Sequence, residues 1–333
     1  MAMKKFINDP KNLVSELLEG YAFAFPDKII LEGSNLVVRS VPKDEGKVGI
    51  VTLGGSGHEP GLSGFVGEGL LDVSVPGEIF AAPSAPRCLE AIKLADRGAG
   101  VLFVVLNHEG DVLSAGLTLE MAEAEGINVK RLLTSEDISS APRSDPENRR
   151  GLIGFLPVYK VTGAAAEQGR SLEEVYEVGK RLERNMATLS VAVTPATHPE
   201  TGEAMFDLED DEMEIGMGQH GEAGTGKGRL VSADETADLM LNLLLKDLDV
   251  QAGENLLIIV NGTGATTLME QFVIYRRVHQ SLESKGINPA RSLVGEYITV
   301  QEQGGFQLFI ARMDDELLEL WDASCDSPYL TVR

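Results

Sequence analysis

With 333 residues, 43% of them hydrophobic and 36 of them glycine, the chain has room for two domains and the composition of a folded α/β protein, which excludes a disordered one. Its 29 Lys and Arg against 52 Asp and Glu give a formal net charge of −23, which argues against nucleic acid or an anionic membrane as partner and leaves any phosphorylated ligand dependent on a local cationic pocket. Cys88 and Cys325 match no metal or redox spacing, "MAMKKFINDP" lacks an apolar signal core and no segment can span a bilayer, so a cytoplasmic protein with reduced thiols is expected.

The chain opens with a helical stretch, "NLVSELLEGYAFAF", and its first half then repeats one pattern. A short β-branched run ends in a glycine-rich loop, and a helical segment follows. "KVGIVTLGG" leads into "SGHEPGLSGFVGEG", "GAGVLFVVLN" into "HEGDVLSAGLTLEMAEAEG", and "INVKRLLTS" into a polar loop through Arg150. Continuous apolar strands alternating with helices predict a parallel sheet covered on both faces, with ligands bound beyond the carboxyl ends of the strands. Those ends carry Gly55 to Glu59 and Asn107 to Asp111. A helix opening on the capping box Ser171-Leu172-Glu173-Glu174 runs to about Asn185.

Beyond that helix the pattern changes. "TLSVAVT", "NLLIIVNG", "RSLVGEYITV" and "GGFQLFIARM" read as strands, several of them alternating. Helices are expected over Ala233 to Leu245 and Ala265 to Lys285, with "ELLELWDA" closing the chain. The fold class is therefore α/β in two domains: an N-terminal parallel-sheet α/β domain over 1–186 and a C-terminal α+β domain over 187–333.

The stretch "GMGQHG", Gly216 to Gly221, matches the dinucleotide pattern G-x-G-x-x-G, and "GEAGTGKG" comes within one residue of a P-loop. Neither works physically. A dinucleotide loop must follow a buried strand and open a helix, whereas here an acidic run precedes and a glycine-dense run follows. Position 228 is Gly, where a P-loop needs a hydroxyl for magnesium. What is left is a glycine-lined loop around one imidazole, His220. Its glycines let a ligand approach the backbone closely.

Three further residues stand out on loops. His58 follows three glycines and a serine, where a helix could open at Glu59-Pro60, and reads from the residues alone as a capping or backbone-satisfied histidine. Asp111 precedes a helix and reads as its N-cap. "PGEIFAAPSAP" is either a pocket wall or structural, and its Glu78 fits both roles.

Taken together, "GGSGHEP", "PGEIF", "GAAAEQG", "DEMEIGMGQHGE", "GAT" and the terminal "LWDA" resemble the K subunit of dihydroxyacetone (glycerone) kinases over essentially the whole chain. The resemblance implies a substrate-binding phosphotransferase subunit of glycerol metabolism that holds a short ketose covalently as a hemiaminal on His220. It implies His58 as acid/base or hydrogen-bond partner at the substrate oxygen and Asp111 as general base for the hydroxyl that receives the phosphoryl group. Gly55 and Ser56 would meet the substrate through their backbone. The imidazole chemistry is sound from first principles. A neutral ring nitrogen, available at an ordinary pKa of about 6.5, adds reversibly to a carbonyl, and glycerol has no carbonyl to attack.

The five histidines include no two at a ligand spacing near acids, so no metal site is expected, and by the same resemblance this chain holds no cofactor. ADP or ATP and Mg²⁺ belong to a separate L-type subunit, since no nucleotide-binding domain follows the K-type C-terminus, and a homodimer is expected. The base's neighbourhood departs from the family's K-N-Y-T-G-D-x-x-N-F run: Leu106, His108, Glu109, Ser114 and Ala115 replace its lysine, aromatic, threonine and Asn-Phe pair. The lost lysine and the space expected at Ala115 point to a longer ketose such as erythrulose, or to a ketose sensor that no longer catalyses.

Overall fold

A computed structural model describes residues 5–218, 222, 224 and 226–333. The chain forms two compact units that interleave along the sequence. One takes the residues up to Thr134, then Phe155–Arg181 and Glu316–Arg333; the other takes Ser135–Gly154 and Leu182–Asp315. The sequence reading runs its first domain unbroken to 186. Instead, residues 135–154 cluster with the second unit and the C-terminal segment with the first. Hydrophobic periodicity cannot see such an exchange, because it records how each segment folds and not where the segment docks.

The first unit begins with α1 (Leu13–Ala24), β1 (Ile29–Glu32) and β2 (Leu36–Arg39). It continues with β3 (Gly49–Ser56), β4 (Val73–Ile79), α2 (Ala85–Ala95), β5 (Val101–Leu106), α3 (Glu109–Ala124) and β6 (Val129–Thr134). The six strands lie in the order β1-β2-β4-β3-β5-β6. Strands β4, β3, β5 and β6 run parallel, as their continuous apolar sequences require. The sheet is mixed, however: β1 and β2 form an antiparallel hairpin that pairs antiparallel with β4. Both hairpin strands have only four residues, too few for a readable period.

The stretch after β3, expected to be helical, contains only a short 3-10 turn at Ser63–Phe65 before β4. Proline and closely spaced glycines deny it a helical run. Val51, Leu53, Val73, Val75, Val101, Phe103 and Val105 meet Cys88, Ala91 and Ile92 of α2 in a single core. Each fully buried large apolar side chain there contributes on the order of 1.5–3 kcal/mol. The next helix, α4 (Phe155–Glu167), is buried on every face along most of its length. α5 (Leu172–Arg184) opens on the expected capping box, Glu174 accepting from the Ser171 N–H at 2.8 Å.

The second unit contains β7 (Met186–Thr194), β8 (Glu212–Ile215), β9 (Gly226–Arg229), α6 (Ala233–Leu248), β10 (Asn255–Gly262), α7 (Leu268–Ser284), β11 (Asn288–Gly295) and β12 (Gly304–Arg312). Its strand order is β11-β10-β12-β7-β8-β9, with β10 and β11 parallel and the rest antiparallel. One face packs on α6 and α7 through Leu241, Leu244, Val278 and Leu282. The closing helix α8 (Asp315–Asp322) returns to the first unit, where the buried Lys160 ammonium donates to the Leu320 and Ala323 carbonyls at 2.9 and 2.6 Å. Among the described residues, no helix is long and apolar enough to cross a membrane.

Candidate functional site

Because β3, β4 and β5 are parallel neighbours, their carboxyl ends leave the sheet on the same side. From β3 come Gly55, Ser56, Gly57 and His58; from β4, the segment after Ile79; from β5, Asn107 to Asp111. The sheet thus gathers onto one edge of one unit three of the four loops that the sequence marks as chemically loaded.

The β3 and β4 ends are built around each other. Ser56 donates its hydroxyl to the Gly77 carbonyl at 2.7 Å, and its own carbonyl accepts from the Phe80 N–H at 2.9 Å. A Cβ on Gly55 would lie 2.7 Å from the Ala81 nitrogen, so only glycine allows this approach. Gly57 has φ +102°, and its missing side chain leaves room for the Phe80 ring, whose Cε1 a Cβ there would meet at 2.8 Å. His58 is 4% exposed, with its imidazole centroid 5.0 Å from that of Phe80 at an interplanar angle of 46°. No helix starts at Glu59-Pro60; the bond is cis, and the His58 carbonyl accepts from Gly61 N–H in a tight turn. The helix-capping reading of His58 is therefore overturned. Glu59 reaches back to the Gly57 N–H at 3.0 Å, and burial pushes its carboxyl above the ordinary range against the pull of that bond.

Asp111 lies where the sequence places it, but not as a cap. His108 is the N-cap of α3, with extended backbone, and Glu109 and Asp111 both fall in the helix's first turn. Asp111 occupies the third helical position, where its charge meets the positive end of the helix dipole. The charge also reaches inward, adding to the burial that raises the Tyr159 hydroxyl and lifts the Cys88 thiol to about 12. Leu106 is 3% exposed at the end of β5, and Ala115 is fully buried in the core beside Cys88. The space expected at position 115 does not open onto a pocket; it is filled by core packing. Ser114 instead faces the loop after β4, donating to the Pro83 carbonyl at 2.7 Å, and Gly110 sits against Ala82.

The fourth loop belongs to the second unit and joins β8 to β9. His220, together with Gln219, Gly221, Ala223 and Thr225, lies outside the described residues. The flanks are tied down. The Gly216 N–H donates to the Ser190 carbonyl at 2.7 Å, and the Gly216 carbonyl accepts from Arg150 Nη2 at 2.8 Å. Ser190 Oγ donates to the Met217 carbonyl. The Gly218 N–H donates to the Glu222 carbonyl at 2.9 Å and the Gly224 N–H to Glu214 Oε1 at 2.7 Å. The glycine run then enters β9, with Gly228 opposite Met213. Among the described residues the run leads into a strand and not a helix, so they offer no helix N-terminus to a phosphate.

Arg150 is a residue that sequence reasoning passed over. Its Nε donates to Asp137 Oδ2 at 2.8 Å, and Asp137 also accepts from the Ser139 N–H and hydroxyl. Burial raises the Asp137 pKa, and the Arg150 charge works against that rise. Beside it Glu136 is buried, accepting from the Leu152 and Gly154 N–H groups at 2.7 Å each, and burial holds its carboxyl at about 8. The available signal was the acid pair directly after the β6 run, thirteen residues before "RRG", but such spacing specifies no partner. Among the described residues, no group of three His, Cys, Asp or Glu side chains assembles as a metal site.

Residues 19–329 match the Dak1 domain family. The chain is 38% identical over 315 residues to the dihydroxyacetone-binding subunit DhaK of a PTS-dependent dihydroxyacetone kinase from Listeria innocua, covering 94% of this chain and 95% of that one. It is also 38% identical over 330 residues to an L-erythrulose kinase from Pectobacterium atrosepticum, covering 98% of this chain and 56% of the longer protein. Among solved structures, the dihydroxyacetone kinase of C. freundii superposes with a TM-score of 0.89 at 29% identity, covering 99% of this chain and 60% of that one. The dihydroxyacetone kinase operon co-activator DhaQ superposes with a TM-score of 0.90, also at 29% identity, over 95% and 98% of the two chains.

Proposed function

The chain belongs to the Dak1 domain family, and from that premise we propose that it is the substrate-binding subunit of a cytoplasmic dihydroxyacetone-type ketose kinase. The observation that carries the reading is the shared edge of the first unit: His58 and Asp111, two of the three residues the family's chemistry requires, leave adjacent parallel strands on the same side. The near end-to-end match to a dihydroxyacetone-binding subunit supports it.

The chemistry runs as follows. A neutral His220 ring nitrogen adds to the ketose carbonyl carbon. The C=O π pair moves to oxygen, which takes a proton, the imidazole gives up its remaining N–H proton to solvent, and a neutral hemiaminal forms. His58 serves the proton transfers at that oxygen. Gly55 and Ser56 address the substrate through main-chain groups, since the Ser56 hydroxyl is already committed to Gly77. Asp111 accepts the proton of the substrate hydroxyl as it attacks the phosphoryl group. A separate L-type subunit presents the nucleotide and magnesium that supply this group, and the K-type chain works as a homodimer.

Intact-protein mass spectrometry under non-denaturing conditions with excess dihydroxyacetone should show one added sugar per chain, lost in His220→Ala. An unmodified wild-type protein across dihydroxyacetone and both erythrulose enantiomers would sink the covalent assignment. A second reading, a ketose-binding co-activator, is favoured by the likeness to DhaQ and by Leu106 where the family has lysine. Wild-type protein that forms the adduct yet transfers nothing with its own L subunit would establish it. The likeness to an L-erythrulose kinase makes erythrulose the second substrate to assay.

A further inference from the structure

Phe80 has φ +56°, in the left-handed region. For a bulky aromatic residue this is a real outlier, and such conformations persist only where the surroundings impose them. Here they do so from both sides. The Phe80 N–H is held by the Ser56 carbonyl at 2.9 Å and the Ala81 N–H by Glu78 at 3.1 Å. Downstream, Ala82 abuts Gly110 and Pro83 accepts from Ser114 of α3. The segment is thus clamped between the loop that carries His58 and the helix that carries Asp111.

The backbone gives no reason for phenylalanine at this position, since glycine or asparagine would adopt the same φ with less strain. Nor does burial, because Phe80 is only partly buried. What phenylalanine adds is its ring, laid over the side-chain-free Gly57 and against the imidazole of His58.

We propose that Phe80 is a positioning residue for His58: the left-handed turn after β4 aims its ring to fix the imidazole's orientation and shield it from water. The inference rests on the proposed acid/base role of His58. Held this way, the ring nitrogen serving the substrate oxygen keeps one direction through the proton transfers. Catalysis is sensitive to such displacement, an error of about 1 Å costing on the order of a hundredfold.

The test uses full-length protein with its L subunit and dihydroxyacetone. Phe80→Asn keeps the left-handed backbone and removes the ring; Phe80→Tyr restores a ring. The Asn variant should stay folded by circular dichroism and keep the sugar adduct, while kcat falls at least tenfold and the His58 imidazole NMR signal, assigned by its loss in His58→Gln, broadens or moves. The Tyr variant should recover most of the wild-type kcat and signal position. If the Asn variant turns over like wild type, or the Tyr variant is as impaired as Asn, or activity falls only in step with folded protein, the inference is overturned. If Phe80→Asn does not fold, Phe80→Leu replaces it under the same criteria. A wild-type-like His58→Gln would instead overturn the acid/base role, and the inference with it.

Discussion

Asp111→Asn separates catalysis from structure at one position. Asp111 is the third residue of α3, whose N-cap is His108. Asparagine keeps the shape and one acceptor oxygen while replacing the other by an amide NH₂ and removing the charge, so the main structural loss is the charge–dipole interaction of a first-turn carboxylate. That is about 0.3–1 kcal/mol for a first-turn carboxylate that is only partly exposed. Neighbouring groups would not be disturbed unfavourably: the Asp111 charge raises the Tyr159 and Cys88 pKa values, so removing it relieves both. As general base the same carboxylate would contribute roughly 10²–10⁴-fold in rate, or about 3–5.5 kcal/mol of barrier. The two effects differ by several-fold in energy and appear in different assays. The variant should unfold within about 3 °C of wild type, form the sugar adduct normally, and lose at least a hundredfold in turnover when reconstituted with the L subunit. Turnover within a few-fold of wild type would refute the base assignment. A large fall in melting temperature with proportionate loss of the adduct would show that Asp111 is structural.

Glu136→Gln tests pH dependence. The buried carboxyl has its pKa raised to about 8, so the folded protein keeps a proton that the unfolded chain releases near 4.3. Its contribution to stability is most favourable below the unfolded pKa, declines from about pH 4 to 8, and is constant above. Glutamine, which still accepts from Leu152 and Gly154, removes that slope. Urea unfolding should show its advantage over wild type growing by a few kcal/mol between pH 5 and 8, and parallel curves would refute the buried-acid reading. Arg150→Ala leaves the fully buried Asp137 without its ion-pair partner and should cost about 3–5 kcal/mol in unfolding experiments. Arg150→Lys should recover part of that stability but less of the sugar adduct, because one ammonium cannot reproduce the fork to Asp137 and Gly216. Equal adduct formation by both variants and wild type would show that the Gly216 contact is dispensable. Gly57→Ala meets both φ +102° and the Phe80 ring, and calorimetry should show a loss of more than about 1 kcal/mol; an unchanged melting temperature would mean that the loop has room to relax.

The sequence alone determined which segments are buried strands and which residues end them. β3, β5, β7, β10 and β12 are long, apolar and bounded by turn residues, so their period and length suffice. For the same reason His58 and Asp111 fall at strand ends on the sequence alone, and the failed P-loop is legible in Gly228. Only tertiary structure decided the rest. The edge hairpin β1-β2 is too short to show a period. The exchange of residues 135–154 and 316–333 between units depends on docking, which leaves no local trace. Ala115 reads as pocket space because its neighbour Asp111 is chemically loaded, but one turn further along the same face of α3 position 115 has already passed from the strand-end loops into the packed core with Cys88. Phe80 against His58 and Arg150 against Gly216 are contacts between residues 22 and 66 positions apart, fixed by how strands are ordered in a sheet. A sequence records the periodicity that builds each strand; it does not record which loops the finished sheet brings together.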